Sequence, residues 1–133
     1  MKKVLVVDDE LSISAAIAYA LMREGFIVET AGDGEEALKK VSFFNPDVMI
    51  LDVMLPKLSG YEVYRNLDVT TRPCVLLLSV RNNMTDKLQW LEEGADDYMT
   101  KPFDIREVVA RVRALYRRSS RQSAANARVV KEK

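Results

Sequence analysis

An α/β fold built on a five-stranded parallel sheet with helices on both faces is the fold class this 133-residue chain predicts. Three observations carry that reading. Strand-like and helix-like patterns alternate five times with short connections, which favours right-handed crossovers and a parallel sheet. The strand-like runs, such as Val48-Met49-Ile50-Leu51 and Val75-Leu76-Leu77-Leu78, lack polar alternation, as strands covered on both faces do. Several of these runs end on a polar residue, and in open α/β sheets the carboxyl ends of the strands are where ligands bind.

In chain order, Lys3 to Val7 is a Val/Leu run that stops at Asp8-Asp9-Glu10. From Leu11 to Glu24, Ile13, Ala16, Ile17, Ala20 and Leu21 recur at helical spacing, and Gly25 stops the helix. Phe26 to Ala31 is β-rich and precedes the turn Gly32-Asp33-Gly34. Glu35 to Phe44 is a second helix with Ala37, Leu38, Val41 and Phe44 inward, and Pro46 bars its continuation. The third strand, from Val48, delivers Asp52 to a loop broken by Pro56 and Gly60. Ser59 caps a third helix reaching about Leu67 that buries Tyr61, Val63, Tyr64 and Leu67. Cys74 to Leu78 forms a fourth strand ending in Ser79. Asn83 or Thr85 then caps a helix, with Leu88 and Leu91 at helical spacing, that closes at Gly94. Asp97 to Thr100 is a short fifth strand ending in Lys101-Pro102-Phe103. Asp104 caps a last helix to about Arg118, striped by Val108, Val109, Val112 and Leu115. Residues 119–133 show no apolar period and read as linker or tail, leaving 1–118 as one domain.

Composition narrows the chemistry. The 20 basic and 20 acidic residues cancel, so no nucleic-acid footprint appears in the total. The single Cys, Cys74, sits inside an apolar run and reads as a buried reduced thiol. Histidine is absent, which removes His-based acid/base catalysis and most transition-metal sites. No stretch is long enough to span a bilayer, and Met1-Lys2-Lys3 leads directly into a strand, so a cytoplasmic protein without a signal peptide is expected.

A strand order of 2-1-3-4-5 would bring Asp8, Asp9 and Asp52 into one cleft. Two like charges about 5 Å apart at an effective dielectric of roughly 20 cost on the order of 3 kcal/mol. Either the acids hold protons or a cation sits among them, and oxygen-only ligands point to Mg²⁺ or a close relative such as Mn²⁺. Ser79 and Lys101, at two other strand ends, offer a hydroxyl and an ammonium for phosphoryl oxygens. Asp52, nearest the middle of the sheet, is the plausible acceptor, forming an acyl phosphate. Taken singly, each residue has an ordinary explanation as turn former, cap or solvated lysine. Their conjunction at four strand ends is what argues for a site.

These residues resemble the receiver domain of bacterial two-component response regulators, a flavodoxin-like fold. The matching motifs are Val4-Leu5-Val6-Val7-Asp8-Asp9-Glu10, Asp52 with Pro56 and Gly60, Leu78-Ser79, and Gly94-Ala95-Asp96-Asp97-Tyr98-Met99-Thr100-Lys101-Pro102-Phe103. The Ala-Asp-Asp-Tyr run and the basic last helix are most similar to the OmpR/PhoB-type subfamily. The resemblance implies that Asp52 takes a phosphoryl group from a sensor histidine kinase. It implies that Asp9, Asp52, Asp8 through water and the Met54 carbonyl hold Mg²⁺, and that Ser79 and Lys101 bind the phosphoryl oxygens. Tyr98 would be the switch aromatic, turning inward as Ser79 moves to the phosphate, and the Lys101-Pro102 bond would be cis.

The resemblance further implies a homodimer formed on phosphorylation. Its surface would use Lys87, Asp96, Asp97, Glu107, Arg111 and Arg118 around an apolar patch of Leu88, Leu91 and Val109. Val80 stands where the family usually has Ala, so restricted access to the phosphoryl site is expected. Trp90, on the fourth helix, is either a partner contact or packed under the basic tail. The subfamily's DNA-binding domain is not within these residues, so a transcriptional output would need a further domain, and a stand-alone receiver acting on a protein partner is the alternative. A metal-dependent aspartyl phosphatase is disfavoured, because that class wants a second acid where Met54 stands.

Overall fold

The computed structural model describes residues 2–68, 70, 72–80 and 84–132. Its strands are β1 (Lys3–Val7), β2 (Ile27–Ala31), β3 (Val48–Asp52), β4 (Cys74–Ser79) and β5 (Asp97–Thr100). Its helices are α1 (Leu11–Arg23), α2 (Gly34–Phe44), α3 (Gly60–Arg65), α4 (Met84–Glu92) and α5 (Ile105–Glu132). All the strand pairings are parallel, and the sheet order is β2-β1-β3-β4-β5. The expected α/β architecture is therefore present, with the ends of β1 and β3 adjacent at the point where strand order reverses.

Alternate residues of the central strands serve two separate cores. Leu5, Val7, Met49, Leu51, Val75 and Leu77 pack against α2, α3 and α4 through Ala37, Val63, Tyr64 and Trp90. Val4, Val6, Val48, Ile50, Leu76 and Leu78 pack against α1 and α5 through Ile17, Leu21, Val108, Val112 and Leu115. This two-sided burial is why the strands carry no polar alternation. Cys74 lies in the second core, and burial pushes its thiol up to about 11, so it remains a protonated apolar side chain at neutral pH.

Local signals place the helix ends. Asp33 Oδ1 accepts from the Glu36 amide at 2.8 Å, so α2 starts within the expected turn. Ser59 and Glu62 form a reciprocal capping box at α3. Gly25 and Gly94, at φ of 91° and 110°, end α1 and α4 as expected. On α1 the buried stripe is Ser14, Ile17, Ala18 and Leu21, while Ala16 is exposed. Thr85 lies inside α4 and is not its cap, and the alternative cap, Asn83, lies outside the described residues.

The last helix departs from expectation. It runs to Glu132 instead of ending near Arg118. No Gly or Pro follows Arg118, and Ala, Arg, Gln and Lys favour helix, so the backbone has no stop signal. The missing apolar period concerned packing, not backbone conformation. Among the described residues no helix is long and apolar enough to cross a membrane.

Gly60 fixes the start of α3 against the end of β3. Its amide donates to the Val53 carbonyl at 2.8 Å. A Cβ there would stand 2.5 Å from the Asp52 carbonyl oxygen and 2.6 Å from Val53 Cα, both backbone atoms. Gly60→Ala is expected to cost about 1–3 kcal/mol, as overpacking against an unyielding neighbour does, read as a lower urea midpoint at unchanged slope.

Candidate functional site

Asp8 follows β1 directly, and its amide continues the ladder to the Ala31 carbonyl at 3.1 Å. Asp52 is the last residue of β3. Both are buried, at 1 % and 5 % exposure, whereas Asp9 is exposed. The three carboxylates each offer an oxygen within 4.8 Å of the others. The register of β1 with β3 produces this crowding, so it exists only once the sheet has formed.

The two buried acids are held alike. One oxygen of each accepts a backbone amide two residues on: Glu10 to Asp8 Oδ1 at 2.9 Å and Met54 to Asp52 Oδ1 at 3.1 Å. The other oxygen of each, Oδ2, accepts from Lys101 Nζ at 3.0 Å. Lys101 follows β5 and precedes Pro102 across a cis bond, and its amide donates to the Ser79 carbonyl at 2.8 Å. The cation among the acids is thus in part the protein's own ammonium.

Burial pushes the Asp52 carboxyl above its ordinary value. The Lys101 and Met54 hydrogen bonds oppose this, and the Asp8 charge adds to it. Burial also pulls the Lys101 ammonium down, but its hydrogen bonds to Asp8 and Asp52 outweigh that and leave it above the ordinary lysine value. Lys101 therefore stays charged. One ammonium against three carboxylates leaves an excess of negative charge that a hard divalent cation with oxygen ligands would match. Asp8, Asp9 and Asp52 supply the donor chemistry for Mg²⁺ or Mn²⁺.

Asp9, Glu10, Asp52, Met54, Val80 and Lys101 line a cleft of about 270 Å³ over these groups. Val80 is 63 % exposed on its rim. Ser79, 3 % exposed at the end of β4, borders a neighbouring cleft with Val53, Met54, Leu55, Ser59 and Tyr61. Met54 lies on the rim of both. Tyr98 is 5 % exposed and packed in the same core as Leu77, Trp90 and Ala95.

Sequence reasoning missed an apolar groove beside Lys101. It is lined by Ser12, Ile13, Ala16, Val80, Phe103 and Ile105, among others. These residues come from α1, the residue after β4 and the stretch from Phe103 into the start of α5, so only the fold assembles them.

The residues expected at a dimer face are largely paired within the chain. Arg111 Nη1 donates to both Asp97 oxygens at 2.8 Å, and its Nη2 donates to Glu107 at 2.9 Å. Arg118 reaches Asp96 at 3.5 Å, and Asp96 Oδ2 accepts from the Val75 amide. Lys87 is exposed, as are Leu88 and Leu91 at 50 % and 38 %. Val109 is placed otherwise than expected. It is half-buried against the α1/α5 core and lines a groove with Ala20 and Arg23, because it lies on the side of α5 that faces α1. Trp90 also departs from both expectations: it is 1 % exposed and stacked on Tyr61.

The response regulator receiver domain model matches residues 4–113. The alkaline phosphatase synthesis transcriptional regulatory protein PhoP of Bacillus subtilis (strain 168) is 55 % identical over 119 residues, covering 89 % of this chain and 50 % of that protein. The transcriptional regulatory protein TrcR of Mycobacterium tuberculosis (strain ATCC 25618 / H37Rv) is 47 % identical, covering 89 % and 46 %. The chain spans about half the length of these curated relatives. Among solved structures, the receiver domain of the Francisella response regulator 1452 superposes with a TM-score of 0.84 at 37 % identity, covering 90 % of this chain and 99 % of that one. The chemotaxis response regulator CheY4 of Vibrio cholerae does so at 0.80 and 31 %, covering 86 % and 98 %.

Proposed function

This chain belongs to the response regulator receiver domain family, with relatives of the OmpR/PhoB type, and from that premise we propose that it is a phosphoacceptor switch with Asp52 as the acceptor. The observation that carries the proposal is the single ammonium of Lys101 bridging Asp8 and Asp52 at 3.0 Å, with Asp9 alongside. One ammonium among three carboxylates leaves negative charge that a divalent cation would offset, letting a phosphoryl group approach Asp52.

A carboxylate oxygen of Asp52 attacks the phosphorus of a phosphohistidine on a sensor kinase. The N–P bond breaks, the histidine nitrogen keeps the electron pair, and an acyl phosphate forms on Asp52. Asp9, Asp52, the Met54 carbonyl and, through water, Asp8 would hold Mg²⁺, which would supply positive charge to the phosphoryl oxygens. Lys101 supplies a fixed positive charge on the same side, and the Ser79 hydroxyl donates to a second oxygen. Catalysis is positioning and charge neutralisation, which needs no general base. Attack of water on the acyl phosphate releases inorganic phosphate and restores Asp52. The apolar groove of Ile13, Ala16, Phe103 and Ile105 opens beside Lys101 and offers the donor protein a surface to rest on.

The added phosphoryl carries nearly two negative charges and strong acceptor oxygens. Ser79 and the end of β4 answer to them, and Tyr98 carries the change to the face formed by α4, β5 and α5. That face, with Lys87, Leu88, Leu91, Asp96, Asp97, Glu107, Arg111 and Arg118, pairs two copies. Rearranging the Arg111 and Arg118 bridges from within one chain to between two would give register more than affinity. Any transcriptional output or DNA contact would need a further domain, the alternative being a receiver that acts on a protein partner, and the proposed setting is cytoplasmic.

Incubation with a small phosphodonor and Mg²⁺, followed by intact mass, is expected to show one phosphoryl group, which does not form when the Mg²⁺ is chelated beforehand and is absent from Asp52→Asn. Turnover of external phosphate esters would point to a phosphatase instead. Val80, on the cleft rim, is expected to slow water's approach, so Val80→Ala should dephosphorylate several-fold faster. An unchanged decay rate would remove that role.

A further inference from the structure

α4 is attached to the rest of the fold in an unusual way. Of its described side chains, Trp90 alone is buried, while Met84, Thr85, Lys87, Leu88, Gln89, Leu91 and Glu92 are all exposed. Among its described side chains, this helix enters the core through one indole. That indole stacks on Tyr61 with ring centroids 4.1 Å apart and planes at 22°, and it meets Tyr64 edge-on at 5.5 Å. Both tyrosines belong to α3.

The other end of this contact reaches the phosphoacceptor. Tyr61 immediately follows Gly60, which is pressed against the backbone of Asp52 and Val53 with no room for a Cβ. The Met54 amide is bonded to the Asp52 carboxylate at 3.1 Å, and Met54, Leu55, Ser59 and Tyr61 line one cleft with Ser79. A shift at the end of β3 meets backbone at Gly60, so it passes to the first turn of α3 and to the Tyr61 ring. Close-packed interiors transmit such displacements instead of absorbing them.

We propose that Trp90 is a positioning residue that, through its stack on Tyr61, makes the seat of α4 follow the state of the loop after Asp52. This route runs through α3, beside the one through Ser79 and Tyr98. It rests on Asp52 being the phosphoacceptor. Leu88 and Leu91, exposed two residues before and one after Trp90, are carried with the helix, so the apolar part of the output face moves when the indole does.

Trp90 is the only tryptophan in the chain, so its emission reports this contact alone. Emission and intact mass are read on the same sample of the full chain, before and after treatment with a small phosphodonor and Mg²⁺. The expected result is an emission change that grows with the adduct and is absent from Asp52→Asn. In Tyr61→Ala the adduct should still form while the emission change falls to the Asp52→Asn background, and Tyr61→Phe, which keeps the ring, should restore it. A full response in Tyr61→Ala overturns the proposal, as does an adduct on the parent chain with no change in emission. Absence of any adduct would overturn both this proposal and the phosphoacceptor reading, so the two failures are distinguishable.

Discussion

Lys101→Ala is expected to cut phosphoryl uptake at Asp52 by about 100-fold or more, the usual consequence of removing one preorganised donor from a developing charge. The Nζ atom touches Asp8 and Asp52 at 3.0 Å with only 12 % of the side chain exposed, so truncation removes a positive charge held directly against both acids. The same substitution leaves two buried carboxylates without their ammonium. Breaking a buried pair in this way costs about 3–5 kcal/mol unless the survivors find a proton or another cation.

Both remedies are measurable. Asp52 already sits above its ordinary value, so between that value and its folded one the native state binds more protons than the unfolded state. Stability therefore falls as pH rises through the folded pKa, and removing Lys101 moves that window upward. Thermal melts of the variant should gain more than the parent from mild acid and from added Mg²⁺, where a hundredfold excess over Kd is worth about 2.7 kcal/mol. A variant that melts like the parent under every condition would show that Lys101 does not offset the acids.

Trp90→Ala should be the most damaging single truncation on the α4 side, at about 3–5 kcal/mol. That is a large share of the 5–15 kcal/mol typical of a domain. The indole is 1 % exposed and makes two aromatic contacts, each adding about 0.5–1.5 kcal/mol beyond its buried area. Because no other described α4 side chain is buried, the loss should be local before it is global. Hydrogen exchange should show α4 amides opening much faster while those of β1 and β3 keep their protection. Equal protection in parent and variant would mean that α4 is held by something other than its tryptophan.

Legibility in the sequence followed the range of the interaction. The strands were readable because a fully buried parallel strand must be apolar at every position, as Val48 to Leu51 are. The helix stops at Gly25 and Gly94 and the cap at Ser59 were readable because each acts over a few residues. Asp8, Asp9, Asp52, Ser79 and Lys101 were readable as strand-end residues, since the alternation of elements fixes the end at which they emerge.

Trp90 illustrates what was not readable. On a helix whose neighbouring apolar residues face solvent, nothing local says whether an indole is a surface contact or an anchor. Its partners Tyr61 and Tyr64 come from α3 and meet it only across the sheet's face. Val109 shows the same limit, because its place at helical spacing does not say which neighbour α5 turns toward it. The length of α5 was hidden for a different reason, since the packing signal ends before the backbone does.

The sequence by itself determined which elements form, their parallel arrangement and the polar groups at the sheet's carboxyl edge, because periodicity and chain stops are local. Only the tertiary structure decided that one ammonium lies between two buried carboxylates and that the indole of α4 is buried against two tyrosines of α3. Both depend on side chains distant in the chain meeting at about 3–5 Å, and that distance is set by strand register and helix packing.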